Sequence, residues 1–342
     1  MVKRPTITDL AQRAGVSVAT VDRVLNRRLP VSENTAIRVV NAAESIGYHA
    51  TGLLKRRLAE VPRKTLGLLL QKRQDSFYQA FGAELVKAIK DCEAIDGKPI
   101  LEFVDELVPS RIAARIRDLG ERADALAIVA VDHPTVNEAV EHVVSRGKRV
   151  FTLLSDITTP ARSCYLAVDS RKSGRTAAWT ISRLARNPGK VGILLGSHRY
   201  LSQEIAEISF RSYMREHAPE FQLLEPIINL DDERIAYEAV SDMLASNADL
   251  SGIYAAGGGQ EGLIRALKEE GAGRKVVAVC NELTVSTRAA LIDGTIDLAL
   301  RTPVESMSFR AIALMARATT MPEAELPGQV LFPAEIFISE NL

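Results

Sequence analysis

The sequence has little cysteine and no long apolar run. Its 342 residues contain three cysteines, Cys92, Cys164 and Cys280, far apart, odd in number and without a C-x-x-C spacing. That excludes a disulfide framework and reads as free thiols in a reducing compartment. No apolar stretch approaches the roughly 18–20 residues that cross a bilayer, and the opening Met1-Val2-Lys3-Arg4-Pro5-Thr6 carries no apolar signal core. The expected location is cytoplasmic. The five histidines, His49, His133, His142, His198 and His217, show neither an H-x-x-x-H spacing nor a neighbouring cysteine, so no metal site is expected. A G-x-S-x-G elbow and a G-x-x-x-x-G-K-S/T loop are also missing. With no visible anchor for catalysis, the chain is expected not to be an enzyme.

Net charge is absent as well, with 43 Lys and Arg against 43 Asp and Glu, but the charges are segregated. Residues 1–64 hold twelve basic and five acidic side chains, a surplus of +7 that the remainder offsets with −7. A basic module on an acidic body suggests a polyanion-binding head joined to a domain of other purpose. The bland alternative is a basic face that only keeps the chain soluble. At 46% hydrophobic and 25% charged residues the composition is globular, and the length allows two or three domains.

The head reads as three helices. Thr6 offers a hydroxyl cap to a helix that Asp9 supports in its first turn and Gly15 ends. Ser17 caps the chain again, and Val21, Val24 and Leu25 share one face of a second helix. A third begins at Ser32, carries Ala36, Ile37, Val40, Ala43 and Ile46, and stops at Gly47. Three helices with a tight turn at Ala14-Gly15-Val16-Ser17 form a helix-turn-helix. With Val21, Val24 and Leu25 turned to the small core, Val18, Ala19, Asp22, Arg23 and Asn26 are left outside.

Thr6-Ile7-Thr8-Asp9-Leu10-Ala11 and the run from Ala14 to Asn26, followed by Val31-Ser32 and Gly47-Tyr48, resemble the lac repressor (LacI/GalR) family of bacterial transcription regulators. The resemblance implies that the second helix lies in the major groove, so that Val18, Ala19, Asp22, Arg23 and Asn26 face DNA, with Thr6 in the same contact set. Arg23 suits the O6 and N7 of guanine, and Val18 and Ala19 suit a thymine methyl. Asp22 suits a cytosine amino group, unless it pairs instead with Arg23 or Arg27. Ser17, Thr20, Asn26 and Arg27 are placed for phosphates, which position without specifying. Family members carry next a hinge helix that wedges a leucine into the minor groove. Leu58, flanked by Lys55, Arg56 and Arg57, is the candidate here. The proline usual soon after the tyrosine is absent, and Leu58 falls one residue late, so a plain basic linker is the alternative. The expected division is a helix-turn-helix domain at 1–50, a hinge at 51–64 and an effector-binding, dimerising domain at 65–342.

From Thr65 onward short β-rich runs alternate with helical patterns, the signature of parallel strands and crossover helices. The alternation restarts near Val191, which gives two α/β lobes joined near 156–169. The fold class expected is therefore an all-α helix-turn-helix head followed by a two-lobed α/β domain with parallel, doubly wound sheets. It is similar to the periplasmic-binding-protein fold that the family uses to sense effectors. Ligands of open α/β sheets bind beyond the carboxyl ends of strands, here between the lobes.

Candidate ligand residues follow from that rule and from the resemblance. Phe77 and Tyr78 follow the first strand, where relatives stack aromatic rings on a sugar. Asp156 and Asp169 end strands and are placed to accept from hydroxyls. Arg211 lies near the arginine that clamps sugar in relatives, a position that itself falls on Ser209. Gly257 and Gly258 stand where relatives often have Asn-Asp, Asn281-Glu282 where they usually have one Asp, and Arg301 where glutamine is frequent. With His198 and Arg199, the arginines 211 and 301 make the cleft basic and point to an anionic sugar derivative. Should they be structural ion pairs, a neutral sugar held by Asp156, Asp169 and Asn281 fits instead.

The rival reading is an NAD(P)-binding oxidoreductase. Gly257, Gly259 and Gly262 match G-x-G-x-x-G after a strand and before a helix, with Glu282 for a ribose. The motif lies late in the chain with too few strands after it for a full nucleotide domain. A transporter-associated binding protein is disfavoured by the missing export signal and the DNA-binding head. The tail at 330–339 reads as one closing strand with no leucine heptads after it. The expected assembly is a homodimer on a near-palindromic DNA operator, with a small-molecule effector and no cofactor. The resemblance implies repression, with effector-driven lobe closure altering the spacing of the heads.

Overall fold

The computed structural model describes residues 5–26, 31–51, 54, 61–273, 275–321 and 323–342. Arg27 and Leu58, expected at a phosphate and in the minor groove, lie outside the described residues, as do Lys55, Arg56 and Arg57. The chain divides into two compact units, Met1–Arg63 with Glu93–Asp96, and Lys64–Cys92 with Gly97–Leu342.

The first unit holds α1 (Ile7–Ala14), α2 (Val18–Asn26) and α3 (Glu33–Ser45). Thr6 and Asp9 close a reciprocal capping box: the Thr6 N–H donates to Asp9 Oδ2 at 2.8 Å and the Asp9 N–H to Thr6 Oγ1 at 3.3 Å. The turn into α2 needs Gly15, whose φ of 64° lies in the left-handed region that glycine enters without steric cost. Arg38 of α3 then donates to the free carbonyls of Ala14 and Gly15, at 2.8 and 3.0 Å. Leu10, Val21, Val24, Val39, Val40 and Tyr48 form the core. Leu54, beyond residue 50 where the head was expected to end, is fully buried in it. So small a core leaves little surplus stability, which gives the two caps their weight.

The second unit opens with β1 (Arg63–Gln71), α4 (Ser76–Asp91), β2 (Asp96–Val104), α5 (Pro109–Arg122), β3 (Ala125–Ile128), α6 (Pro134–Ser145), β4 (Arg149–Leu153) and β5 (Cys164–Val168). A second run follows with α7 (Ser170–Leu184), β6 (Lys190–Leu195), α8 (Leu201–His217), β7 (Gln222–Leu223), β8 (Ile227–Ile228) and α9 (Glu233–Ser246). It continues through β9 (Leu250–Ala255), α10 (Gln260–Glu269), β10 (Val277–Asn281), α11 (Val285–Asp293) and β11 (Leu298–Arg301). The chain ends with α12 (Val304–Thr320), β12 (Gln329–Phe332) and β13 (Glu335–Phe337). One sheet has the order β12-β5-β4-β3-β1-β2, the other β13-β11-β10-β9-β6-β7 with β8 also on β6. β1, β3, β4, β5 and β12 run parallel, as do β6 to β11, whereas β13 is antiparallel to β11.

Central strands such as Ala125–Ile128 and Leu250–Ala255 are buried along their whole length, because helices cover both faces. In the first lobe α5 and α6 bury Ile112, Ile116, Val136 and Val140 on one face. In the second, α9 and α10 cover one face through Val240 and Leu263, and α7 and α8 the other through Ile181 and Phe210. Both sheets are doubly wound, as expected.

The lobes are joined three times. Expected near 156–169, the first junction lies only at the end of that stretch, because β5 still belongs to the first sheet and α7 to the second lobe. The second runs from β11 to α12 through Thr302 and Pro303, and the third from β12 to β13 through Pro333 and Ala334. The tail is therefore not one closing strand. A proline cannot donate to a ladder, and here it divides the tail into one strand for each lobe. Among the described residues no helix is long and apolar enough to cross a membrane. All three cysteines are free, and burial pushes the Cys164 thiol up to about 11.

Candidate functional site

In the first unit, Val21 and Val24 are buried and Leu25 packs against the same core, which turns the opposite side of α2 outward. Ser17, Val18, Ala19, Arg23 and Asn26 are exposed, Val18 by 42%. Arg23 has no hydrogen bond or ion pair among the described residues, so its five donors are available to a ligand. Asp22 Oδ1 accepts from Asn26 Nδ2 at 2.6 Å, and among the described residues Asp22 makes no ion pair with Arg23. Ser17 and Thr20 share a hydrogen bond of 2.8 Å at the start of α2. Thr6 spends its hydroxyl on the capping box, which leaves it a structural role in addition to any contact.

In the second unit a cavity of about 160 Å³ lies between the lobes. At roughly 10–15 Å³ per water this is room for a ligand of about a dozen non-hydrogen atoms. Strand ends supply its walls, as the strand-end rule requires. Of the ligand residues expected from sequence, Phe77, Tyr78, Gly258, Asn281 and Glu282 line it together. Asp75 caps α4 by accepting the N–H groups of Phe77 and Tyr78 at 2.9 and 3.2 Å, which fixes both rings at the cavity wall. Phe210 and Tyr254 stack beneath it at 5.3 Å.

Four expected ligand residues are elsewhere. Asp156 is clasped by Arg162 through two bonds of 2.5 and 2.6 Å and by the Thr152 hydroxyl at 2.8 Å. Asp169 caps α7, and its N–H donates to the Phe332 carbonyl at 2.9 Å, which ties the first junction to the third. Arg301 bridges Glu305 at 2.6 Å and Glu335 at 2.8 Å, and so ties the second junction to the third. Arg211 is held by Glu207 at 2.7 Å and the Leu224 carbonyl at 3.1 Å. Neither arginine lines the cavity, nor do His198 and Arg199. The basic cleft inferred from sequence is instead acidic, lined among the described residues by Asp75, Asp231, Glu261 and Glu282 and by no Lys, Arg or His.

Asp231 went unnoticed in the sequence. It follows the two-residue β8, and with Leu230 it adopts left-handed backbone at φ 51° and 54°. Of the glycines expected to admit a pyrophosphate, Gly257 makes room for it, a Cβ there standing 2.8 Å from Asp231 Oδ1, and so does its neighbour Gly258. A Cβ on Gly258 would stand 2.7 Å from the Asp231 Cβ, and the Gly258 N–H donates to Asp231 Oδ1 at 2.6 Å. At Gly262 a Cβ would meet the Glu233 carbonyl at 2.1 Å, so this glycine serves the contact of α10 with α9. An acidic side chain thus occupies the approach where the dinucleotide reading needs an anionic ligand.

Burial raises the Asp231 carboxyl above its usual range, against the stabilising Gly258 N–H and the Lys72 ammonium. Burial also pushes Glu282 up to about 7, although its oxygens accept from the Thr302 hydroxyl and N–H. The lobes meet around the cavity. Lys72 Nζ donates to the carbonyls of Leu230 at 2.7 Å and Asp231 at 2.8 Å, and the Asp132 N–H donates to the Arg199 carbonyl at 2.8 Å. Among the described residues, every non-glycine with left-handed backbone (Lys72, Leu154, Leu230, Asp231 and Glu282) lies in this wall or bridge. Such strain collects where a fold holds ligands.

Residues 66–320 match the family described as periplasmic binding protein domain, and residues 6–51 match bacterial regulatory proteins, lacI family. The HTH-type transcriptional regulator GalR of Salmonella typhimurium is 36% identical over 123 residues, 32% of this chain and 34% of that protein. RegA of Clostridium saccharobutylicum, another HTH-type transcriptional regulator, is 40% identical over 92 residues, 26% of this chain and 27% of that protein. The chain thus spans about a third or less of the length of these relatives. A solute binding protein of an ABC transporter from Agrobacterium vitis, solved with alpha-D-tagatopyranose, superposes with a TM-score of 0.74 at 19% identity. It covers 82% of this chain and 96% of its own. That likeness is one of fold.

Proposed function

Because the chain belongs to the periplasmic binding protein domain family and carries a bacterial lacI-family domain at its head, we propose that it is a sequence-specific DNA-binding transcription regulator, a repressor whose grip on its operator is set by a small effector between the lobes. The observation that carries the reading is the outward face of α2, where an exposed Val18 and an Arg23 without a partner among the described residues stand ready for base edges in a major groove. The GalR and RegA relatives bear the same kind of regulator name. The reading places the chain in the cytoplasm as a homodimer, two heads meeting the two halves of a near-palindrome. The effector is a sugar or sugar derivative of about monosaccharide size, contacted by Phe77, Tyr78, Asn281 and Glu282. Three junctions let the lobes close on it and alter the spacing of the heads.

The test is selection of genomic fragments by the purified full chain, read by sequencing, with residues 65–342 alone as the control. The expected result is a short near-palindromic motif recovered by the full chain only, released by some fraction of a low-molecular-weight cell extract. Recovery of fragments with no common motif sinks the reading. So does a motif recovered equally by residues 65–342.

A further inference from the structure

The cavity offers charge of one sign. Asp75 from the first lobe and Asp231, Glu261 and Glu282 from the second line it, and among the described residues no cation does. Lys72, whose charge favours the Asp231 carboxylate, spends its hydrogen bonds on two backbone carbonyls, and Arg301 spends its own on Glu305 and Glu335. The lining amides are used within the protein too. Gln260 Nε2 donates to the carbonyls of Gly257 and Asn281, and Asn281 Nδ2 to that of Ala256. Gln203 Oε1 accepts the Gly196 N–H, and its side chain also bonds Asp231. Asp75 Oδ2 has no hydrogen-bond partner among the described residues, and neither does the hydroxyl of Tyr200. Tyr200 is only 4% exposed, with its ring set in the first lobe's core at the cavity wall. Burial and the charge of Asp231 keep the Tyr200 proton in place, so this phenol is a neutral partner for a polar ligand.

We propose that the ligand of this cavity carries a protonated amine, seated between Asp75 of the first lobe and Asp231 of the second, on an otherwise hydroxylated skeleton. The inference rests on reading the cavity as the effector site. Asp75 lines the cavity from the other lobe, and its negative charge adds to the burial that raises the Asp231 and Glu282 carboxyls. A cation between them converts that repulsion into two charge-assisted contacts, whereas an anion adds to it. Ser155, Ser202 and Thr284, also in the wall, suit the hydroxyls of the same ligand.

Thermal shift and calorimetry on the full chain at neutral pH test this with matched probes: glucose, glucosamine and glucuronate, then the corresponding galactose, mannose and ribose series. The expected result is that amines raise Tm and bind, neutral parents bind more weakly and acids fail. Asp75→Asn and Asp231→Asn should each weaken amine binding about 10- to 100-fold, the usual effect of losing a charged partner. Asparagine caps a helix as aspartate does, so Asp75→Asn should keep α4 intact, and its own Tm checks this. Neutral or acidic members binding more tightly than their amine partners overturn the proposal. So does the absence of any response to the amines, or unchanged amine affinity in both variants. Release of the operator motif by extract responds to an effector of any charge, so failure of the charge inference remains distinct from failure of the effector reading.

Discussion

Glu282 accepts from Thr302 twice, from its N–H at 3.1 Å and from its hydroxyl, and so fastens a carboxylate in the cavity wall to the second junction between the lobes. Protonation of Glu282 weakens these bonds at a segment that joins the lobes.

That carboxyl sits at about 7, raised by burial from an ordinary value of 4.5. Between those values the native state holds a proton that the unfolded chain releases, so stability falls as pH rises through this window and levels off above it. Tm measured from pH 4.5 to 8 should follow that slope. Glu282→Gln, which keeps an acceptor for Thr302, should flatten most of it, with a remainder from Asp231 and Asp297, both also raised. Equal slopes in the two proteins would contradict the assignment.

Arg23→Ala should reduce discrimination between the operator and random DNA by about 1–3 kcal/mol, the value of a bidentate guanine contact, and change nonspecific affinity less. Since Arg23 is exposed and has no hydrogen bond or ion pair among the described residues, Tm should be unchanged. Competition titrations with both DNAs check this; equal losses on both would make Arg23 a phosphate contact.

Arg301→Ala is expected to act on the junctions. Removing its bridges to Glu305 and Glu335 should cost roughly 1 kcal/mol, discounted for the exposure of both carboxylates, or about 2–4 °C in Tm for a domain of this size. Arg211→Ala should behave similarly through Glu207. Neither should alter ligand affinity by more than the change in lobe closure. A selective loss of binding to an anionic probe would restore the arginines to the ligand site.

Gly262→Ala should destabilise the second lobe by about 1–3 kcal/mol, since its Cβ would press on the Glu233 carbonyl at 2.1 Å and part α10 from α9. Denaturant unfolding measures it. A variant with full stability that loses a nicotinamide cofactor would revive the dinucleotide reading.

The head was legible because its signals are local. The Thr6 and Asp9 box, Gly15 at the turn and the spacing of Val21 and Val24 each act within a few residues. The lobes were legible through alternation, and the strand-end rule found the loops that meet at the cavity. It could not say which side chains turn inward. Asp156 and Asp169 obey the rule as well as Glu282 does, but one is taken by Arg162 and the other by the N-terminus of α7. Asp231 escaped because β8 has two residues and left-handed backbone leaves no pattern in leucine and aspartate. The three glycines at 257–259 were the available clue: each lacks space for a Cβ, and the nearby Asp231 is part of the reason at the first two.

The junction at Pro333 carries a mechanical consequence. Two straps would leave the lobes free to twist as well as to tilt. A third, pinned to the first by the bond from Asp169 to Phe332 and to the second by Arg301 and Glu335, removes the twist and leaves chiefly one rotation. Under the function proposed above, an effector in the cavity is therefore read out only as an angle between the lobes. The signal is graded by how far that one rotation proceeds, and chemically different ligands that stop it at the same angle become indistinguishable downstream.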